Sequence, residues 1–280
     1  MFDSVDIFGD RPLVVSFEGW NDAGEAASGA VRVVKDALGL SPVFEVDAEM
    51  YFDFQFNRPV ASLGADGSRS LVWPGVSLFA PAGGLGAHVL LGSEPSRNWR
   101  SFVAEISELI EDREISGVIF VGAMLADVPH SRPISVSVTS ESAVVREVAG
   151  VERSHYEGPV GILSVLAAAV TEAGVPSAAV WASVPHYVHS VPSPKATLAL
   201  VEKVSEVVGF SVPVGELVAE ASAWESGVDA LARDDEDMSA YIGRLERARD
   251  TVDSPEASGD AIAEEFENFL RGQDEGGRGV

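Results

Sequence analysis

With 280 residues, 46% of them apolar and 22% charged, the chain has the balance of a globular protein able to bury a sizeable core, and it is neither wholly disordered nor a fibrous repeat. The absence of cysteine removes disulfides, thiolate metal sites and cysteine nucleophiles together, and suits a reducing cytoplasm. The 44 acidic side chains outnumber 19 basic ones, and the resulting charge of −25 would repel phosphate backbones and anionic headgroups, which argues against nucleic-acid and membrane partners.

The first residues, MFDSVDIFGD, are acidic where a signal peptide needs basic residues, and they lack an apolar core segment, so export is not expected. Residues 13–17 (LVVSF) form a compact apolar strand. The unusual string EGWNDAG (18–24) follows, and then Ala23, Ala27, Ala30, Val34 and Leu38 recur at helical spacing, with Gly39 placed to cap the helix end.

Further strands are predicted at 43–46, 70–73, 88–91, 118–121, 134–138 and 178–181, and helices at 98–111, 141–148, 159–173 and 194–208. The longest apolar stretch, VGILSVLAAAV (160–170), falls short of the roughly 20 residues a membrane span needs and reads as a buried helix. Strands alternating with helices, with near-continuous apolar strands such as GVIFVGA, predict a three-layer α/β/α sandwich for residues 1–210.

After Pro213 the composition changes: residues 211–280 carry 18 acidic and 6 basic side chains. Leu217, Ala221, Trp224, Val228 and Leu231 repeat at four-three spacing, and after the DDED run the stripe resumes at Met238, Ile242, Leu245 and Val252. This predicts a helical extension over 211–272, either a hairpin turning at 234–237 or one interrupted helix. It docks on its own domain or packs between subunits. Its last helix runs from Asp260 through Ile262, Phe266 and Phe269 to Gly272, and residues 273–280 are expected to be a mobile tail.

In an open parallel sheet, ligands bind beyond the carboxyl ends of the strands. Four loops there hold the chain's unusual residues: Glu18, Trp20, Asn21 and Asp22; Glu94, Arg97, Trp99 and Arg100; Asp127, His130 and Arg132; and His186, Tyr187 and Lys195. The EGWNDAG turn leads into a helix, where Asp22 caps free amides in preference to an anion binding them. Asp127 and His130 form a D-x-x-H pair, but no further pattern supplies the third ligand that a divalent ion needs. GPVG (158–161), with Pro159 near the start of its helix, permits a tight turn or close approach to a ligand.

There is no G-x-S-x-G elbow and no GxxxxGK[ST] phosphate loop. GGLGAHV places Gly84 and Gly86 as a dinucleotide fingerprint would but has Val89 in place of its third glycine, and only Lys35, Lys195 and Lys203 are available for a nucleotide clamp. Neither a cofactor nor a metal is expected.

Several strings together carry a family resemblance: SFEGWNDAG (16–24), YFDFQFNRP (51–59), GSEPSRNW (92–99), LADVPHSRP (125–133), YEGPVGI (156–162) and WASVPHYV with PSPKATLALV. Over about residues 10–208 the sequence resembles the actinobacterial branch of the family named for the second proteasome assembly chaperone. The resemblance implies a three-layer α/β/α fold similar to purine nucleoside phosphorylases and a homo-oligomer, with a trimer favoured. It brings no catalytic residues. Archaeal and eukaryotic relatives are assembly chaperones for proteasomes, which makes proteasome subunits candidate partners. Some dock through a C-terminal hydrophobic-tyrosine-any motif, whereas this sequence ends GRGV, so a proteasome contact would use the folded surface.

Two functions are carried forward. In the first the protein is a cytoplasmic, non-enzymatic, oligomeric binding or assembly factor. In the alternative it is an enzyme or small-molecule binder at the strand-end loops, with Arg97 or Arg132 holding an anionic group and His130 as the acid or base. A third reading of the same residues makes them structural locks.

Overall fold

The computed structural model describes residues 7–64 and 66–252. The helix predicted at 260–272 and the tail at 273–280 lie outside the described residues.

The described residues contain nine strands, eight α-helices and two single-turn 3-10 helices at Ala23–Glu25 and His186–Val188. The strands are β1 (Pro12–Glu18), β2 (Ser41–Glu45), β3 (Val60–Leu63), β4 (Arg69–Val72), β5 (Val76–Ala80), β6 (His88–Ser93), β7 (Gly117–Ala126), β8 (Val136–Thr139) and β9 (Ser177–Pro185). The helices are α1 (Ala26–Ala37), α2 (Ala48–Tyr51), α3 (Trp99–Asp112), α4 (Ala143–Ala149), α5 (Ile162–Glu172), α6 (Pro194–Val208), α7 (Leu217–Arg233) and α8 (Glu236–Val252).

Seven strands form one sheet in the order β2-β5-β6-β1-β7-β9-β8. The central four, β6, β1, β7 and β9, are mutually parallel, while β5 and β8 pair antiparallel with their neighbours. Alternate residues of the central strands face opposite layers, as a period of two requires. Val14, Ile119 and Val180 point into a core shared with α1 and α6, and Leu13, Val15 and Phe120 into a core shared with α3 and α5. The molecule is therefore a three-layer α/β/α sandwich. The same parallel strands send the loops after β1, β6, β7 and β9 to one edge of the sheet.

The structure departs from the sequence reading in three places. The strand predicted at 70–73 is β4, which lies outside the main sheet and pairs only with β3 as a two-stranded arm. The sheet position passes instead to β5, whose Val76, Leu78 and Ala80 are buried in alternation, starting just after the Pro74–Gly75 break. The short β3 and α2 were not foreseen. In the C-terminal helices Leu231 is exposed, and Ala232 is buried in its place, so a helical repeat closer to 3.6 than to 3.5 carries the stripe onto Ala232.

The break predicted at 234–237 is narrower than the DDED run. Asp235 ends it, accepting from the Met238 N–H at 3.0 Å, so that Glu236 and Asp237 already occupy the first turn of α8, where the helix dipole favours acids. Both helices rest on their own chain. Leu217 at the start of α7 belongs to the buried cluster under α1 and α6.

Candidate functional site

The four strand-end loops form two clusters on one edge of the sheet. The first joins the loops after β1 and β6. Asn21 O accepts the Ala123 N–H of β7 at 2.8 Å, which fastens the EGWNDAG turn to the neighbouring strand. Asp22 is buried, and its Oδ1 accepts the backbone N–H groups of Ala27 at 2.8 Å and Ser28 at 3.0 Å. It therefore caps α1, as predicted. Burial pushes its carboxyl above the ordinary carboxylate value, the bonds from Ser28 and Ala27 oppose the rise, and Glu18 adds to it.

Glu18 splits its carboxylate between Arg32 Nη2 (2.9 Å) and Ser93 Oγ (3.1 Å). Glu94 reaches across the sheet and accepts the first N–H of α5, from Ile162, at 2.8 Å. This carboxylate occupies the position where an incoming anion would bind, at the positive end of the helix. Trp20 stands out from the same turn with 71% of its surface exposed.

Gly161 explains the tightness of this corner. A Cβ built there would stand 2.1 Å from Asn21 Oδ1 and 2.8 Å from Glu94 Oε1, so the glycine of GPVG serves close packing between two loops. Its φ of −86° suits any residue, which makes the constraint one of space alone. Gly161→Ala is expected to cost about 1 to 3 kcal/mol, the range for overpacking. The added substitution Asn21→Ala should recover part of that loss in a double-mutant cycle read by urea denaturation.

The rest of the loop after β6 is stitched to α2. Arg97 gives its guanidinium to the Glu49 carbonyl, Asn98 Nδ2 donates to Met50 O at 2.6 Å, and Trp99 Nε1 donates to Pro95 O. Arg100 is exposed.

The second cluster lies over β7 and β9 and is covered by α7 and α8. His130 is only 1% exposed. Its backbone N–H donates to Tyr187 Oη at 2.8 Å, its Nδ1 lies 2.9 Å from the same oxygen, and its Nε2 lies 3.1 Å from Asp229 Oδ1 of α7. The Tyr187 hydroxyl oxygen therefore accepts the His130 backbone N–H and faces Nδ1 of the same residue, while Nε2 faces the Asp229 carboxylate. Trp224 of α7 meets the His130 ring edge to face.

Lys195 bridges the His130 carbonyl and Glu225 of α7, the latter at 2.6 Å. Arg132 forms a two-pronged pair with Asp250 of α8 at 2.7 and 2.8 Å, and Ser131 donates to Glu246. Tyr241 donates to Asp127 at 3.2 Å. His186 Nδ1 lies 3.1 Å from Asp127 Oδ1 but out of hydrogen-bonding alignment, and the ring instead meets the edges of Tyr187 and Tyr241.

Tyr187, His130 and Asp229 stand in a line that superficially matches a hydroxyl nucleophile, a base and an orienting acid. Burial pushes the Tyr187 hydroxyl up to about 12, the direction opposite to the shift that activates a hydroxyl nucleophile. Among the described residues no group of three or more acid, histidine or cysteine side chains is placed to hold a metal ion. The arrangement ties two loops to two helices.

The model of the PAC2 family matches residues 16–232. The chain belongs to the PAC2 family. A PAC2 family protein from Streptomyces avermitilis is 40% identical, with a TM-score of 0.74 over 83% of this chain and 100% of its own. A proteasome-assembly chaperone homologue from Mycobacterium tuberculosis is 38% identical, with a TM-score of 0.72 over 82% and 99%. At 17% identity, an archaeal homologue of proteasome-assembly chaperone from Pyrococcus furiosus shares the fold, with a TM-score of 0.58 over 88% and 98%. No curated protein matches.

Within this PAC2 chain, five residues of α7 and α8 in the second cluster escaped the sequence reading: Glu225, Asp229, Tyr241, Glu246 and Asp250. Each sits on a helix that announced itself through its apolar stripe. The available signal was the pairing of Glu246 with Asp250 at one-turn spacing, opposite an Arg-Pro loop.

Proposed function

We propose that this PAC2 protein is a cytoplasmic, non-enzymatic binding or assembly factor that acts as a homo-oligomer, a trimer, through its β3–β4 arm. The arm carries this reading. Opposite residues in its register share a face, which puts Val60 with Val72 on one side and Ala61, Leu63 and Leu71 on the other. All are exposed, Leu63 at 75% and Leu71 at 57%, and Phe56 and Trp73 are exposed at its root. An isolated two-stranded ribbon is barely stable in water, and apolar residues on both of its faces call for cover on both. A closed ring of copies supplies that cover and pairs the open strand edges.

Family membership supports proteasome subunits as the partner, because relatives bear the name of proteasome-assembly chaperones. Trp20 is a further candidate contact. In the same reading Glu18, Asn21, Asp22, Glu94, Arg97, Asp127, His130, Arg132, His186 and Tyr187 shape and brace the strand-end surface, and no reacting group is drawn from them.

Light scattering behind size exclusion tests the assembly. The wild type should have the mass of a trimer, and Leu63→Asp with Leu71→Asp should lower it to that of a monomer with the α/β circular dichroism kept. A monomeric wild type would sink the proposal, as would a variant of unchanged mass. Pull-down from native lysate should recover proteasome subunits with the wild type and fewer with the variant.

A further inference from the structure

The two C-terminal helices are held to the rest of the chain by different chemistry. α7 buries Leu217, Ala221, Val228 and Ala232, and Leu217 belongs to the core under α1 and α6. α8 is of equal length, yet Ile242 is its one buried residue, with Met238 and Leu245 half-buried. Burial of apolar side chains is the main favourable contribution to docking, so α8 has far less of it than α7.

What α8 has instead is a row of polar contacts with one loop, residues 127–135 after β7. Tyr241 donates to Asp127 at 3.2 Å, and Ser131 donates to Glu246. Arg132 grips Asp250 with two prongs and reaches Glu246 at 3.4 Å, and Arg249 Nη1 donates to Ser135 Oγ at 3.4 Å. Glu246 and Asp250 stand one helical turn apart, and Tyr241, Leu245 and Arg249 form the adjoining row, so one side of the helix meets the loop. The central pair is open to water, Arg132 at 34% and Asp250 at 54%. Exposed pairs contribute little to stability and weaken as salt is added.

Only Asp234 and Asp235, both exposed, separate α7 from α8. Two such residues are enough to act as a hinge. On the inner side of α8 the Tyr241 ring meets Tyr187 at 6.1 Å and His186 at 5.7 Å, both edge to face. With α8 in place Tyr187, Ser131 and Arg132 are half-buried.

We propose that α8 is a strap that detaches as a unit while α7 and the sheet stay folded, and that it controls access to the strand-end surface around Tyr187, Ser131 and Arg132. An element with few buried apolar contacts opens locally on a core that remains intact. The strap does not involve the β3–β4 arm, so it stands or falls separately from the assembly reading.

Hydrogen exchange of the full-length protein resolves the two helices. Amides of residues 238–252 should exchange about tenfold faster than those of 220–232, as expected of a separately opening unit. Raising the salt from about 0.05 to about 0.5 M should speed residues 238–252 about tenfold again and leave α7 and β7 unchanged. Arg132→Glu should reproduce this effect at the lower salt. Adding Glu246→Arg and Asp250→Arg to that variant should restore protection, which separates lost pairing from lost fold. Hydroxyl-radical oxidation of Tyr187 should rise several-fold in Arg132→Glu and fall back in the triple variant. One common exchange rate for α7 and α8, before and after salt, overturns the proposal. So does α8 protection indifferent to Arg132→Glu, or a triple variant as unprotected as the single one. Tyr187 oxidation that stays level while α8 loses protection overturns the strap's control of the surface.

Discussion

His130→Ala is expected to destabilise the protein by about 3 kcal/mol and to free α7 and α8 before the sheet unfolds. The substitution empties a fully buried site between Tyr187 and Trp224, and large-to-small changes in such sites cost about 2 to 5 kcal/mol. It also removes the ring that bridges the Tyr187 hydroxyl and the Asp229 carboxylate. Hydrogen exchange supplies the readout, with amides of residues 217–252 losing protection while those of β1 and β7 keep theirs. Protection in 217–252 that survives the substitution would show that His130 does not hold these helices. If His130 served as an acid or base in a reaction instead, its loss would lower an activity and leave stability near that of the wild type.

The layered fold was legible because its signals are local. LVVSF and GVIFVGA are apolar runs bounded by turn residues, and α1, α3, α4 and α6 fall close to their predicted limits. Strand 70–73 was legible as a strand and misplaced as to sheet, since nothing in SLVW distinguishes an exposed ribbon from a buried edge. Exposure depends on what lies opposite, and the residues of the arm face solvent on both sides.

The candidate residues were legible as a set, and their division into two clusters was not. The predicted strands already placed all four loops on one edge. Which loops meet depends on strand order, and that order follows from crossovers which periodicity alone does not determine. The partners of His130 and Arg132 lie about 100 residues away on α7 and α8. Those helices were read for their apolar stripe alone, so their acids were assigned no partner. The structure shows Asp229, Glu246 and Asp250 turned toward the sheet edge, where they meet the basic and aromatic side chains of the loops. The same residues that suggested chemistry are thus bonded to these helices. The EGWNDAG turn was the clearest oddity of the sequence, and its oddity has a structural source: one asparagine fastens it to β7, one aspartate starts α1, and Trp20 is left outside.

That aspartate yields the second large effect. Asp22→Ala leaves the buried N–H groups of Ala27 and Ser28 without their acceptor, and is expected to cost about 3 kcal/mol, since each unsatisfied buried group costs about 1 to 3 kcal/mol. Asp22→Asn keeps an oxygen in the same place, and asparagine caps helices about as well as aspartate, so at neutral pH its stability should lie within about 1 kcal/mol of the wild type. The two substitutions also differ in their pH dependence. Burial raises the Asp22 carboxyl above its ordinary 3.8 in the folded state, so between 3.8 and that raised value the native protein binds more protons than the unfolded chain. The contribution of Asp22 is therefore fully present below 3.8 and declines as pH rises through the folded value. The asparagine variant lacks this slope, so its stability relative to the wild type should improve as pH is raised through the window and stay level above it. Urea denaturation of the wild type and both variants from mildly acidic to neutral pH measures the difference. A relative stability of Asp22→Asn that worsened with rising pH would mean that the ionised carboxylate, held by the dipole of α1, is favoured over its buried neutral form.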